Sequence, residues 1–255
     1  MIEFKLTAPS YEMIAHRGYP SRFPENTLSG IRAVLEGGAK FLKVEVQLSA
    51  SGTAWLFHDE SLERICSKEG KLVELNDSEV CGLRAVEAAR LGTQFVDEPL
   101  ADLKSVVELL SEFPSVFTFI EIRACAVEAF GATQVVGTVV KEVASIAQRC
   151  GILSSSMDCL RAVDAATEIP FGLILESWGQ VGTEAKELPC SYIFCEFTLL
   201  PWSGSIEVDC QLGVFEVSDG PNARKLGARG ASFVETASYP EMKIELAKSP
   251  GAMTR

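Results

Sequence analysis

The chain has 255 residues and only two histidines, and both stand where proton-transfer chemistry is feasible. His16 is followed by Arg17 and Gly18. The ring of His16 exchanges a proton near neutrality, Arg17 offers a planar fork for phosphate or carboxylate, and Gly18 lets the backbone turn sharply. His58 closes the run Trp55-Leu56-Phe57-His58-Asp59, where an apolar stretch gives way to polar residues. If the two rings converge, one accepts a proton while the other donates one, the division of labour that phosphodiester cleavage requires. A histidine at a strand end also serves simply as a hydrogen-bonded structural residue, so the pair has to be weighed with its surroundings.

Those surroundings are charged. In Phe41-Leu42-Lys43-Val44-Glu45-Val46-Gln47 the two-residue period of a strand puts Lys43, Glu45 and Gln47 on one face and Leu42, Val44 and Val46 on the other. Phe119-Ile120-Glu121-Ile122-Arg123 repeats the pattern with Glu121 and Arg123. An internal ion-pair layer would account for these four charges, but burying several ions without a function is costly, which favours a functional reading. Pro24-Glu25-Asn26-Thr27 reads locally as a helix start, with Asn26 as the cap and Glu25 near the positive end of the helix dipole.

The elements that must carry these groups alternate. Short apolar runs predict eight main strands, near 12–15, 41–46, 117–122, 152–155, 171–175, 192–195, 213–217 and 232–235. Segments of helical period lie between them, including 27–36, stopped by Gly37 and Gly38, then 103–110 and 134–148. Eight β-α units in this length predict a closed (β/α)8 barrel, with an open doubly wound sheet as the alternative; no GxGxxG motif opens the first helix. Residues 54–57 read as an extra strand, and 59–99 as a small insertion on the rim where such barrels place their reactive groups. No repeat or linker divides the chain, so residues 1–255 are expected to form one barrel domain.

Composition narrows the function. Hydrophobic residues make up 47% of the chain and charged residues 23%, and the formal net charge is -12. Such an acidic chain is not expected to hold nucleic acid or anionic membrane through bulk charge. With no apolar run long enough to span a bilayer and no signal-like apolar stretch in residues 1–10, a cytoplasmic protein without membrane insertion is expected. The eight cysteines are scattered without CxxC spacing and read as reduced, mostly buried thiols; Cys159, Cys190, Cys195 and Cys210 lie in or beside apolar stretches.

Taken together, His16-Arg17-Gly18, Pro24-Glu25-Asn26-Thr27, Gly38-Ala39 before the acidic second strand, His58-Asp59, Leu62-Glu63-Arg64, Gly70-Lys71-Leu72-Val73 and the Glu121 strand resemble the glycerophosphodiester phosphodiesterase family. The resemblance is dense over the first half of the chain and thins in the second: Val214-Phe215-Glu216-Val217-Ser218 stands where the family has a Trp-Thr-Val-Asn-like strand, and Ala237 follows Thr236 where the family has Asp. It implies a (β/α)8 barrel that hydrolyses glycerophosphodiesters to glycerol 3-phosphate and an alcohol, using two histidines and a divalent cation, magnesium or calcium. By resemblance His16 and His58 are the acid and base, Arg17 holds phosphate, Glu25 belongs to the rim or ligand network, and Glu121 is a metal ligand. Arg123 replaces a lysine and joins the substrate-binding groups.

One departure bears on the cation. Where the family has Glu-x-Asp on the second strand, this chain has Lys43-Val44-Glu45. A cation held by Glu45 and Glu121 would be repelled by an ammonium about 4 Å away by roughly 8 kcal/mol at an effective dielectric near 20. The expectation is therefore a phosphodiesterase in which Lys43 and Arg17 supply the charge, or one with a weakened cation on Glu45 and Glu121. The rival reading is an impaired barrel that binds a phosphodiester or acts as an interaction module. Acidic residues also close later strands, Glu176, Glu196, Glu216 and Glu235; they are read as solvated loop positions. Were they inward, the mouth would favour a cationic alcohol, with Trp178 or Trp202 as its aromatic face.

Overall fold

A computed structural model describes residues 11–248. The elements in order are β1 (Glu12–His16), α1 (Leu28–Glu36), β2 (Phe41–Leu48), β3 (Ala54–Leu56), α2 (Glu63–Cys66), α3 (Asp77–Cys81), α4 (Ala88–Leu91), α5 (Leu103–Ser111), β4 (Phe117–Ile122), α6 (Ala124–Phe130), α7 (Ala132–Glu142), β5 (Cys150–Ser154), α8 (Met157–Ala166), β6 (Phe171–Ile174), β7 (Tyr192–Glu196), β8 (Gln211–Phe215), α9 (Gly220–Arg229), β9 (Phe233–Thr236) and α10 (Tyr239–Ala247). Strands run in the order β1-β9-β8-β7-β6-β5-β4-β2, and β1 pairs with β2 to close the ring. These eight strands are parallel throughout. The closed (β/α)8 barrel is therefore the fold, and the open sheet is excluded.

Period-two alternation sorts the strands into an outer and an inner surface. Leu42, Val44, Val46, Ile120 and Ile152 pack outward with the helices into the main apolar core. Inside, the lower barrel is filled by rings: Phe119 lies at 5.0 to 5.4 Å from Phe117, Tyr192, Phe194 and Phe233. Above this aromatic floor the interior turns charged, with Lys43, Glu45, Glu121 and Glu235 all buried.

Three details differ from the expected elements, each for a local reason. The helix cap is Thr27, whose hydroxyl accepts from Gly30 N, because Asn26 has been diverted: its backbone is left-handed (φ 56°) and its side chain turns to Glu45. The strand expected at 213–217 ends at Phe215, since Glu216 leaves the extended region at φ 62°. Finally, the crossovers after β6 and β7 contain short 3-10 turns in place of α-helices. Gly179, Gly182 and Pro189 interrupt the first of these segments and Pro201 and Gly204 the second.

The extra strand β3 pairs antiparallel with the upper end of β2, Val46 with Leu56 and Leu48 with Ala54. The chain thus rises above the barrel and comes back down, and Phe57 N donates to Glu45 O at 2.9 Å. His58 is set beside Glu45 by this return. The insertion that follows has its own small core of Trp55, Phe57, Leu62, Ile65, Leu72 and Val80. None of the described helices is long and apolar enough to cross a membrane. All eight cysteines are free, and burial pushes the Cys159 and Cys195 thiols up to about 12, which keeps them unreactive.

Gly18 fixes the corner after β1. It adopts φ +85°, and a Cβ there would come within 2.8 Å of the backbone at Gly30 and Ile31. Gly18→Ala is expected to cost at least ~1 kcal/mol of stability, measured by urea unfolding. A loss within error of zero would show that this corner relaxes freely.

Candidate active site

The site is assembled around the carboxylate of Glu45, which is 1% exposed. Its Oε1 accepts from His16 Nε2 at 2.9 Å and from Arg17 Nε at 2.8 Å, and its Oε2 accepts from Asn26 Nδ2 at 2.8 Å. His16 is at the end of β1, beside Lys43 of β2 in the barrel register. Arg17, left-handed at φ 58°, turns its guanidinium back over the mouth so that Nη1 also donates to Glu25 Oε1 at 3.0 Å. Burial would raise the Glu45 carboxyl, but Arg17 and His16 overcome it and hold the group well below the usual carboxylate range.

His58 completes a parallel arrangement on the other side. Its Nδ1 donates to Asp59 Oδ1 at 2.7 Å, which leaves Nε2 available. Three backbone anchors hold the loop: Gln47 Nε2 donates to Asp59 O at 2.6 Å and to His58 O at 3.3 Å, and Arg123 Nε donates to His58 O at 3.0 Å. Burial, which disfavours the imidazolium, lowers the His58 pKa below its ordinary 6.5, and Arg17 and Arg123 nearby act in the same direction against the pull of Glu45. Arg64 of α2 ties the insertion down, reaching Asp59 Oδ2 at 2.6 Å and both oxygens of Glu25 at 2.8 Å. Although burial opposes it, bonding to Arg64 and His58 pushes the Asp59 carboxyl down to about 2. From α4's end of the insertion, Glu87 accepts from Glu25 N at 2.6 Å.

On the barrel's inner wall Lys43 Nζ lies 2.9 Å from Glu121 Oε2 and 3.3 Å from Glu235 Oε2, and Arg123 bonds the other oxygen of Glu121. The Lys43 ammonium also sits 5.8 Å from the Phe194 ring and 5.1 Å from that of Phe215. Burial acts to lower the Lys43 pKa, yet Glu121 and Glu235 more than reverse it, so the ammonium stays charged.

Every residue singled out from sequence, His16, Arg17, Glu25, Lys43, Glu45, His58, Glu121 and Arg123, is thus drawn into one connected network at one mouth. Sequence reasoning missed others. Glu235, read as a solvated strand end, is fully buried and lies 3.4 Å from His16 Nδ1; the two-residue period from inward-facing Phe233 was the signal that placed it inside. Asn26 was read as a cap and is instead a Glu45 ligand. Glu176 and Glu216 are exposed, as expected of solvated positions. Trp178 packs on the outer core, while Trp202 is 97% exposed on the rim, where it lines a cavity of about 440 Å³ with Phe197 and Glu216.

Residues 16–191 match the model of the glycerophosphoryl diester phosphodiesterase family. The chain belongs to this family. Among curated members, mouse glycerophosphodiester phosphodiesterase 1 is 34% identical over 94 residues, 37% of this chain and 28% of the mouse protein. A glycerophosphodiester phosphodiesterase of Caldanaerobacter subterraneus is 32% identical over 100 residues, 39% of this chain and 40% of that one. The matched stretch thus spans less than half the length of either relative. Two solved structures share the fold over nearly their whole length. A phosphodiesterase of Oleispira antarctica, in complex with the product sn-glycerol-3-phosphate, has a TM-score of 0.78 at 20% identity, covering 93% of this chain and 97% of that one. A glycerophosphoryl diester phosphodiesterase of Silicibacter pomeroyi has 0.77 at 17%, covering 92% and 93%.

The divalent cation that family resemblance implies does not fit the donors present. Both oxygens of Glu45 are taken by His16, Arg17 and Asn26, and both oxygens of Glu121 by Lys43 and Arg123. Ligand atoms of Glu25, His58 and Asp59 come within 4.8 Å of one another, but Arg64 already bonds Glu25 and Asp59.

The depressed carboxyls make acid stability a test of this network. Glu25, Glu45, Asp59 and Glu121 are all held below their ordinary values, so the unfolded chain binds more protons than the folded one in acid. Their contribution is complete above about pH 4.5 and is lost as pH falls through their folded-state values, that of Asp59 being about 2. Melting temperatures taken from neutral pH downward are expected to keep falling below pH 4, less steeply in Asp59→Asn. A melting temperature that levels off below the ordinary carboxylate range would contradict these assignments.

Proposed function

We propose that this protein hydrolyses a glycerophosphodiester to glycerol 3-phosphate and an alcohol by acid-base catalysis between His58 and His16. The carrying observation is the pair of carboxylate-imidazole contacts, Asp59 with His58 and Glu45 with His16, joined into one network through Arg17, Glu25 and Arg64. His58 is the base: Asp59 holds its Nδ1–H, and its lowered pKa leaves Nε2 unprotonated at neutral pH. It takes a proton from water as the water oxygen bonds to phosphorus. His16, protonated between Glu45 at Nε2 and Glu235 at Nδ1, turns its Nε2 proton from Glu45 to the alcohol oxygen as the bond from that oxygen to phosphorus breaks, and is left neutral with its Nδ1 proton on the Glu235 side.

Arg17 and Arg123 each use Nε and Nη1 on protein acceptors. Their Nη2 groups make no hydrogen bond to the described residues and supply donors for the phosphoryl oxygens, whose charge is spread in the transition state. Glu25, bonded to both Arg17 and Arg64, keeps the rim in register with the mouth. The described residues 11–248 act as one barrel unit with a rim insertion at about 59–99, in the cytoplasm, where free thiols persist; the two ends of the expected 1–255 unit lie outside them.

The two-histidine site also separates this reading from a binding or interaction module, which has no need of a proton acceptor and donor. Hydrolysis of a panel of glycerophosphodiesters tests it. His16→Ala and His58→Ala are each expected to lower kcat/KM by ~10²- to 10⁴-fold with melting curves that stay cooperative. In the wild type kcat/KM is expected to rise with pH through a value below the ordinary histidine range. Because the Asp59 bond raises the His58 pKa, Asp59→Asn should shift that limb to still lower pH. Retention of most activity by either alanine variant removes that histidine from the mechanism, and no turnover of any diester by the wild type removes the activity.

A further inference from the structure

Lys43 is 2% exposed and lies inside the barrel, beneath the mouth. Its ammonium has a carboxylate oxygen of Glu121 at 2.9 Å and one of Glu235 at 3.3 Å, and the charge of Glu45 acts on it through space. Two aromatic rings flank it as well, Phe215 at 5.1 Å and Phe194 at 5.8 Å. The other oxygen of Glu235, Oε1, is buried with no hydrogen-bond partner among the described residues, so the ammonium is the principal fixed charge answering this carboxylate.

We propose that Lys43 is the resident cation of the site and Glu235 its positioning carboxylate, so that the protein takes no divalent metal there. The inference rests on the phosphodiesterase reading only for its catalytic meaning. Charge carries it first. Three inner carboxylates, Glu45, Glu121 and Glu235, face three permanent cations, Arg17, Lys43 and Arg123. A dication placed among these already paired carboxylates would sit against the buried Lys43 ammonium, a repulsion that the low-dielectric interior strengthens. Chemistry carries it second. Magnesium keeps several waters and calcium takes six to eight oxygens, whereas this cage offers aromatic faces and, apart from the single free oxygen Glu235 Oε1, carboxylate oxygens already bonded. An ammonium with an alkyl stem suits such walls, since the stem packs on the rings and the head attracts their π faces.

The consequence is that removing the lysine, and not merely adding metal, should create a metal site. Lys43→Ala releases an oxygen of Glu121 and one of Glu235 into a hole vacated by a cation, beside the unbonded Glu235 Oε1 and within the field of Glu45. The test is thermal unfolding of wild type and Lys43→Ala with chelator and with millimolar magnesium, calcium or manganese, supported by calorimetric titration of the same metals. The wild type is expected to melt at one temperature in all conditions and to give no saturable heat. Lys43→Ala is expected to melt lower in chelator and to climb with the logarithm of metal concentration, and Lys43→Ala/Glu235→Ala to lose most of that response. Saturable binding of one divalent ion by the wild type overturns the proposal, as does a Lys43→Ala variant that melts like the wild type and ignores metal. Should Lys43→Ala fail to fold in any condition, the wild-type titration decides alone. No arm depends on turnover, so an inactive protein would refute the proposed hydrolysis and leave this proposal standing or falling on its own result.

Discussion

The carboxylate of Glu45 is the constraint on which the mouth of this barrel depends. One buried group accepts from His16 and Arg17 of the first β-α unit and from Asn26 at the start of the first helix, while its own backbone carbonyl takes the amide of Phe57. Such an anion, removed from water, is tolerable only with several charge-assisted partners. The partners cannot reach it unless the chain takes unusual turns, and Arg17, Gly18 and Asn26 all adopt positive φ. The left-handed corner after β1 is thus stabilised by the electrostatics of the site it builds.

From this hub the arrangement propagates in two directions. Upward, Arg17 reaches Glu25, Glu25 reaches Arg64, and Arg64 reaches Asp59 and so His58; the rim insertion, with its small separate core, is fastened to the mouth by ions. Downward, the inner wall passes from the charged layer of Lys43, Glu121 and Glu235 to a floor of phenylalanines. The floor keeps water out from below, which strengthens each ion pair above it and makes an unpaired charge there expensive.

Much of this was legible in sequence because two signals agreed. The β-α alternation gave all eight barrel strands to within a few residues, and the two-residue period of the second strand alone put Lys43 and Glu45 together inside. Spacing could not give the antiparallel return of β3, which brings His58 down beside Glu45, because that depends on a hairpin closing above the barrel. Asn26 was misread since its local chemistry is that of a cap; only the tertiary pull of Glu45 sends its side chain elsewhere. Glu235 was misplaced for the opposite reason. A carboxylate at a strand end is ordinarily solvated, and burial becomes affordable only once Lys43, 192 residues away in sequence, supplies the compensating charge. The family-like pattern is also broken beside it, at Ala237, so no motif flagged Glu235 either.

The measurement that bears most directly on this account is a crystal structure of the protein soaked with glycerol 3-phosphate. The account requires the phosphate at the mouth, with its oxygens in hydrogen-bond reach of Arg17 and Arg123, His58 Nε2 directed at phosphorus or its bound oxygens, and the Lys43 ammonium still lodged between Glu121 and Glu235. A phosphate bound away from both histidines, or a Lys43 side chain swung out of the barrel, would contradict it.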